Sequence, residues 1–445
     1  MPEPTELVAI AVGAAGPGEA VEAYAERSTR TEVEVRRGEV EGLTFAASSG
    51  LGVRLIREGR LGFAWAADPS PEEVRETVAR ARENAAFASA DEHRVLPEAR
   101  PIEPLPSLYR AEQAAMPTER KVALALDLER RTVSLDPRVR RVEDVRYGDA
   151  VSQVAIASTT GVEAGYERTD VWCAVVALAE RDGETQTGFS FQIGRELAEL
   201  DREGVAAEAV LRGARMLGAR KPPTMRVPVV LDPFAGSSFL GVLAGALSAD
   251  AVQKQRSLFA GLEGTRVGSE VVTLVDDGRL LAGPAASPFD DEGVPTQRTE
   301  LITRGTLNGF LHDTYTAHRG GAASTGNARR AGFRSVPSVG ATNLYLEPGE
   351  LEVAELLARA EGGVLIQDVS GVHSGANPIS GEFSVGATGL RISGGAPGEP
   401  LREMTIASTI PEMLRAVAAV GRDLRFFTSV GVPSVLIGEM TVAGL

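Results

Sequence analysis

One cysteine in 445 residues, Cys173, excludes an internal disulfide and any cluster of thiolate metal ligands. It lies in Val171-Trp172-Cys173-Ala174-Val175-Val176, a run that reads as a buried strand, so an inert core thiol is expected. Histidine is almost as scarce, with four residues: His93, His312, His318 and His373. Of 46 basic residues only Lys121, Lys221 and Lys254 are lysines, a compositional bias from which no function follows. No Lys/Arg-rich run offsets the net charge of −15, which argues against nucleic acid as a partner. No apolar run reaches the ~18 residues of a membrane span. The N-terminus, MPEPTELVAI, lacks the basic-then-apolar profile of a signal peptide, so a cytoplasmic protein is expected.

What is present is ordinary globular composition, 43% hydrophobic and 24% charged with 49 glycines, which excludes disorder for the bulk of the chain. Helical spacing over Leu7 to Arg27 precedes the alternating Thr31-Glu32-Val33-Glu34-Val35-Arg36. Two strands, Val40 to Ala47 and Leu51 to Arg57, are expected around a turn at Ser48-Ser49-Gly50, and a third follows at Leu61 to Ala66. Asp68-Pro69-Ser70-Pro71-Glu72-Glu73 starts a helix to about Ala88. Pro97, Pro101, Pro104 and Pro106 mark a linker, placing an α+β segment at 1–96 and the linker at 97–110.

A central α+β segment, 111–221, follows, with a helix over Thr118 to Ser134 and one over 199–219. Between them four short strands form a second meander: Val139 to Tyr147, Val151 to Ser158, Val162 to Thr169 and Val171 to Ala179. Lys221-Pro222-Pro223-Thr224 ends this segment, and 222–445 reads as a β-rich domain with a helical stretch over Phe234 to Val252. Glycine-punctuated strands are expected at Val271 to Val275, Glu300 to Ile302 and Leu307 to Asp313, with a hairpin turn at Asp276-Asp277-Gly278-Arg279. The two meanders are alike in pattern, but no repeat of fixed period is present.

Few residues offer chemistry. His93, in Asp91-Glu92-His93, reads as a solvated loop residue. His312 and His318 are six apart, whereas a helical zinc pair stands four apart with Glu beside the first, so ordinary partly exposed histidines are expected. His373 lies in a glycine-rich loop of the kind that lines clefts. Asp290, Asp291 and Glu292 sit between turn residues, open to two readings: a cation or amine site, or a solvated or cap-forming acidic turn. No Gly-x-Ser-x-Gly elbow or phosphate loop is present.

Seven ordered motifs in the last 220 or so residues resemble the TldD/PmbA family, the modulators of DNA gyrase, and most closely its PmbA/TldE branch. They are Ser248-Ala249-Asp250-Ala251-Val252-Gln253-Lys254, Pro288-Phe289-Asp290-Asp291-Glu292-Gly293-Val294-Pro295-Thr296, Leu311-His312-Asp313-Thr314-Tyr315-Thr316-Ala317, Ser324-Thr325-Gly326-Asn327-Ala328, Thr342-Asn343-Leu344-Tyr345-Leu346, Gly381-Glu382-Phe383-Ser384-Val385-Gly386-Ala387 and Met440-Thr441-Val442-Ala443-Gly444. The resemblance implies an α+β fold with a large, mainly antiparallel C-terminal domain, and a metallopeptidase context.

In TldD-type chains a helix carries His-Glu-x-x-x-His. Aligned by Asp250 and Lys254, this chain has Leu240, Gly241 and Gly245 there, none able to ligate zinc, and Phe426 to Leu436 supplies no His or Cys. No metal or other cofactor is therefore expected in this chain, and no catalytic residue. The resemblance implies a metal-free subunit that partners a zinc-bearing TldD-type chain, or itself, and acts on peptides or unfolded polypeptides. A homodimeric hydrolase of another chemistry and a non-catalytic peptide-binding module are the competing readings. Expected cleft residues are Asp290, Asp291, Glu292, His312, Thr325, Asn327 and His373.

Overall fold

The computed structural model describes residues 2–444. Helix α1 (Pro4–Gly13) is followed by three long strands, β1 (Ala20–Arg36), β2 (Glu39–Arg57) and β3 (Arg60–Ala67), and by α2 (Pro71–Phe87). The expected helix over Leu7 to Arg27 is corrected: it ends at Gly13, and β1 runs from Ala20 with Val21, Ala23 and Ala25 turned into the core. The Ser70 hydroxyl and the Glu73 carboxylate cap α2 reciprocally, with Pro71 in its first turn.

After residues 88–110, which hold no helix or long strand, come α3 (Ala111–Ala114), α4 (Thr118–Ser134), β4 (Val139–Ser158), β5 (Glu163–Arg181), β6 (Glu184–Gly194) and α5 (Arg202–Ala214). All six strands form one antiparallel sheet in the order β3-β2-β1-β4-β5-β6. The layout is therefore helix, three strands, helix, stated twice, with β1 and β4 paired at the centre from Glu22–Ser158 to Val35–Val145. The helices cover one face, α2 over β3 and β2, α5 over β6 and β5, α4 over β4 and β1.

Each pair of strands expected around Ser48-Ser49-Gly50 and around Gly148 is one continuous strand. The break expected between Thr169 and Val171 is absent too, and β6 was not anticipated. The glycines occur because aromatic rings lie on them. A Cβ on Gly50 would stand 2.2 Å from the Phe333 ring, and one on Gly148 2.1 Å from the Trp172 ring. Cys173 is buried in β5, and burial pushes its thiol up to about 12. A thiol reagent at pH 8 should therefore leave the folded chain unlabelled and label one site per chain once urea unfolds it; rapid native labelling would refute the burial.

Strand β7 (Met225–Leu231) leads into helix α6 (Pro233–Ala246). The helical stretch expected to reach Val252 stops at Ala246, and a separate short helix spans Ala249–Gln253. β7 lies between Val364–Ser370, parallel to it, and Val435–Ala443. Glu382–Ser393 and Ala396–Thr409 extend that sheet, and the latter pairs back to Val435–Ala443, so five strands close on themselves. A further sheet is built from short strands that include Leu274–Asp277, Arg298–Thr303 and Leu344–Leu346. The expected turn at Asp276-Asp277 is instead the end of a buried strand, and the strand expected over Leu307 to Asp313 stops at Leu307. Among the described residues no helix is long and apolar enough to cross a membrane.

Candidate functional site

Helix α6 holds Leu240, Gly241 and Gly245, the positions that the resemblance sets against the TldD-type motif. Asp232 caps it by accepting from the Ala235 N–H at 2.9 Å, and Pro233 opens its first turn. Phe239, Leu240 and Leu243 point into the core, with Phe239 edge-on to Phe383, whereas Gly241 and Gly245 are exposed and a Cβ on either would meet open space. The side-chain oxygens of α6 are the hydroxyls of Ser237 and Ser238, and the helix carries no histidine, cysteine or carboxylate that could hold zinc. Among the described residues no group of three or more His, Cys, Asp or Glu is arranged to bind a metal ion. A zinc ion does not fit here, and no step is derived through one.

The base of α6 is held by charge. Arg212, from α5, donates to Asp232 at 2.6 Å and also reaches the Gln367 carbonyl. Burial pushes the Asp232 carboxyl up, against the pull of Arg212. Beside it, Glu208 accepts from Arg425 and Ser190, both at 2.8 Å. Glu208 and Arg425 border a cavity of about 470 Å³ between the first sheet and the C-terminal region, lined also by Phe191, Gln192 and Phe426. Asp232 and Arg212 were missed because Asp232-Pro233 reads equally as the turn that ends a strand; Asp-Pro ahead of an apolar run is the available helix-cap signal.

Six of the seven expected cleft residues are brought together in one hydrogen-bonded network. Asp290 is fully buried and accepts from the Glu292, Val294 and Ala328 N–H groups, each at 2.9 Å. Burial and the Glu292 charge push its carboxyl well above the usual range. Asp291 accepts from the Arg330 N–H at 2.6 Å. Asn327 is buried, donating to Asp276 at 2.7 Å and accepting from Thr325, whose hydroxyl in turn receives the His312 N–H at 2.8 Å. Thr342 adds two bonds to Asp276. His312 Nδ1 is buried without a partner, and burial pushes the imidazole down. The acidic turn is thus enclosed, not solvated. His373 stands apart, exposed in the short helix Val372–Gly375.

The network extends to the first sheet. Glu292 accepts from Arg54 of β2 at 2.7 Å and from the Thr314 N–H at 2.8 Å. Arg54 also pairs with Glu22 of β1, and Glu22 with Arg330. Two carboxylates and two guanidiniums are thereby interleaved with almost no exposure, and Arg330 stacks over Tyr24 at 5.0 Å. Glu22 and Arg330 lie 308 residues apart with no motif joining them; a charged residue among the apolar residues of a strand is the one sequence signal. A second fastening lies nearby, where His93 and His318 meet through Nδ1 atoms 3.2 Å apart and Tyr315 donates to Asp91 at 2.9 Å. His93, expected to be solvated alone, is part of that contact.

Three family models match the chain. The PmbA/TldA metallopeptidase C-terminal domain covers 224–444, the central domain 112–217 and domain 1 21–85. Metalloprotease PmbA of Escherichia coli O157:H7 is 27% identical over 433 residues, 97% of this chain and 94% of that one. A metalloprotease TldD homolog of Haemophilus influenzae is 28% identical over 438 residues, 90% of this chain and 88% of its own. The crystal structure of TldE from Thermococcus kodakarensis superposes with a TM-score of 0.90 over 99% of both chains at 24% identity, a likeness of fold.

Proposed function

Because the chain belongs to the PmbA/TldD metallopeptidase family, we propose that it is the metal-free subunit of a cytoplasmic zinc peptidase, acting with a TldD-type chain that brings the metal. The observation that carries this reading is α6, which presents Leu240 to the core and Gly241 and Gly245 to open space where ligands would be needed. The chain's contribution is assembly and a wall of the cleft. Peptides or unfolded polypeptides are the substrates, held as added strands through backbone hydrogen bonds. Asp290, Glu292 and Asn327 shape that wall from within by fixing loops, whereas Asp291, His312, Thr325 and His373 keep surface to offer.

Zinc content and cleavage of an unfolded peptide, measured for this chain, for a TldD-type chain and for their mixture, test the proposal. This chain alone should hold no stoichiometric zinc and cleave nothing, and the mixture should cleave at least about tenfold faster than the TldD-type chain alone. About one zinc per chain, surviving mild chelation and lost on mutating His312 or His318, would overturn it. Turnover by this chain alone would do the same.

A further inference from the structure

Six of the 14 phenylalanines, Phe239, Phe289 and Phe383 among them, are buried in the hydrophobic clusters of the core. Five others, Phe189, Phe191, Phe234, Phe426 and Phe427, are half-buried and outside those clusters. They gather at the cavity of about 470 Å³ between β6, α5 and the C-terminal region. Phe191 and Phe426 line it. Phe427 lies under the Arg425 guanidinium at 5.1 Å, and Phe234 links Phe427 to Phe189 through ring contacts of 5.3 and 5.6 Å. Apolar surface left together around a concavity marks a binding surface. Its walls are fixed beforehand. Gln192 accepts the Asp201 N–H at 2.7 Å at the head of α5. Arg195 donates to the Gly283 and Pro284 carbonyls, both at 3.0 Å, which holds the segment carrying Leu280 and Ala282.

We propose that this cavity takes an aromatic side chain from within an unfolded peptide, while Arg425 donates to a carbonyl of the same peptide. This preference rests on the peptide-handling role proposed above. The ring follows from the walls, because aromatic pairs in offset or edge-to-face contact gain more than their buried area alone provides. The carbonyl follows from Arg425. Its Nη1 donates to Glu208, whose other oxygen takes the Ser190 hydroxyl, whereas its Nε and Nη2 bond to nothing among the described residues. Donors therefore remain at the cavity. Asp201 and Glu208 also border it, so a terminal carboxylate meets like charge and a neutral carbonyl does not. The aromatic residue is thus an internal one. The volume falls in the roughly 300–1,000 Å³ range of small-ligand sites, which accommodates one ring and its flanking peptide groups.

The probe is a short Gly/Ser peptide, acetylated and amidated, with p-benzoylphenylalanine at its centre. Irradiated with the full-length chain, alone and mixed with a TldD-type chain, it should cross-link around Phe191, Leu280 and Phe426, as located by mass spectrometry. A Phe peptide of the same frame should compete. Its Leu counterpart should compete about 2–12-fold less well, and its Ala counterpart at least about tenfold less well. Ala282→Trp fills the cavity from an exposed position and should abolish the cross-link with circular dichroism unchanged. Phe426→Leu should keep weaker binding and lose the preference for Phe over Leu, and it decides the matter where Ala282→Trp does not fold. Cross-links only elsewhere, equal competition by the three peptides, or undiminished labelling of folded Ala282→Trp would overturn the assignment. So would an unchanged Phe preference in Phe426→Leu, or tighter binding of a peptide ending in Phe with a free carboxylate. Labelling of the cavity in a mixture that cleaves nothing would count against the subunit role alone, and cleavage without that labelling against the aromatic site alone.

Discussion

Glu22→Ala should cost the fold about 3–5 kcal/mol, the usual loss when one member of a buried ion pair is removed. The carboxylate lies between Arg54 and Arg330, all three almost fully enclosed. Without it two guanidiniums keep only Glu292 as a carboxylate partner. Urea unfolding of wild type and variant measures the difference, and a loss below about 1 kcal/mol, the range of exposed pairs, would show that water reaches the cluster. The pH dependence has a definite sign. Burial works against the charged form of Glu22, but Arg330 and Arg54 overcome it and hold the carboxyl below its ordinary value. The stabilisation is therefore complete above the unfolded value of about 4.3 and is lost as pH falls through the folded value. The gap between wild type and Glu22→Gln should narrow below about pH 4.

Local chemistry made much of the fold legible before any coordinates. α4 begins and ends where its period and its flanking Pro117 place it, and the Ser70–Glu73 capping box starts α2 as read. The errors share a cause. Ser48-Ser49-Gly50 and Gly148 look like turns because glycine usually serves turns, but here each glycine makes room for an aromatic ring from 283 or 24 residues further along the chain. Asp276-Asp277-Gly278 misled in the same way, since Asp276 is a buried acceptor for Asn327 and Thr342. At the site, Asp290 and Asn327 fall in two short motifs because part of each one's bonding is local, Asp290 with the Glu292 and Val294 N–H groups and Asn327 with Thr325. Glu22 and Arg54 face each other across β1 and β2, but Arg330 and Glu292 join them only when the C-terminal region packs on that sheet, so the four-member cluster was not legible.

Gly62→Ala and Gly188→Ala should each destabilise the chain by about 1–3 kcal/mol, out of proportion to one methyl group. Gly62 of β3 lies beneath α2, and an added Cβ would stand 1.9 Å from the Ala81 carbonyl oxygen. Gly188 of β6 lies beneath α5 in the same way, 2.0 Å from the Ala209 carbonyl oxygen. The obstruction is backbone on both sides, so the helix must lift and the alanines packed under it lose contact. Denaturation of the two variants against Gly183→Ala, a turn control with no atom within 4 Å but a positive φ, separates crowding from backbone strain. Near-neutral results at 62 and 188 would mean that the helices sit further from the sheet than described.

The doubled layout of the first sheet has a consequence during synthesis. β1 is a central strand whose second partner, β4, is specified about 110–135 residues later. At roughly 5–20 residues per second, an emerging chain waits roughly 5–27 s between making β1 and completing the strand that covers its other edge. Throughout that interval the first helix-and-three-strand unit has an unsatisfied ladder along β1, beside valines that belong to the finished core. Yield in cells should therefore depend on translation speed between Arg36 and Ser158 more steeply than on the rate at which the remaining 287 residues are added.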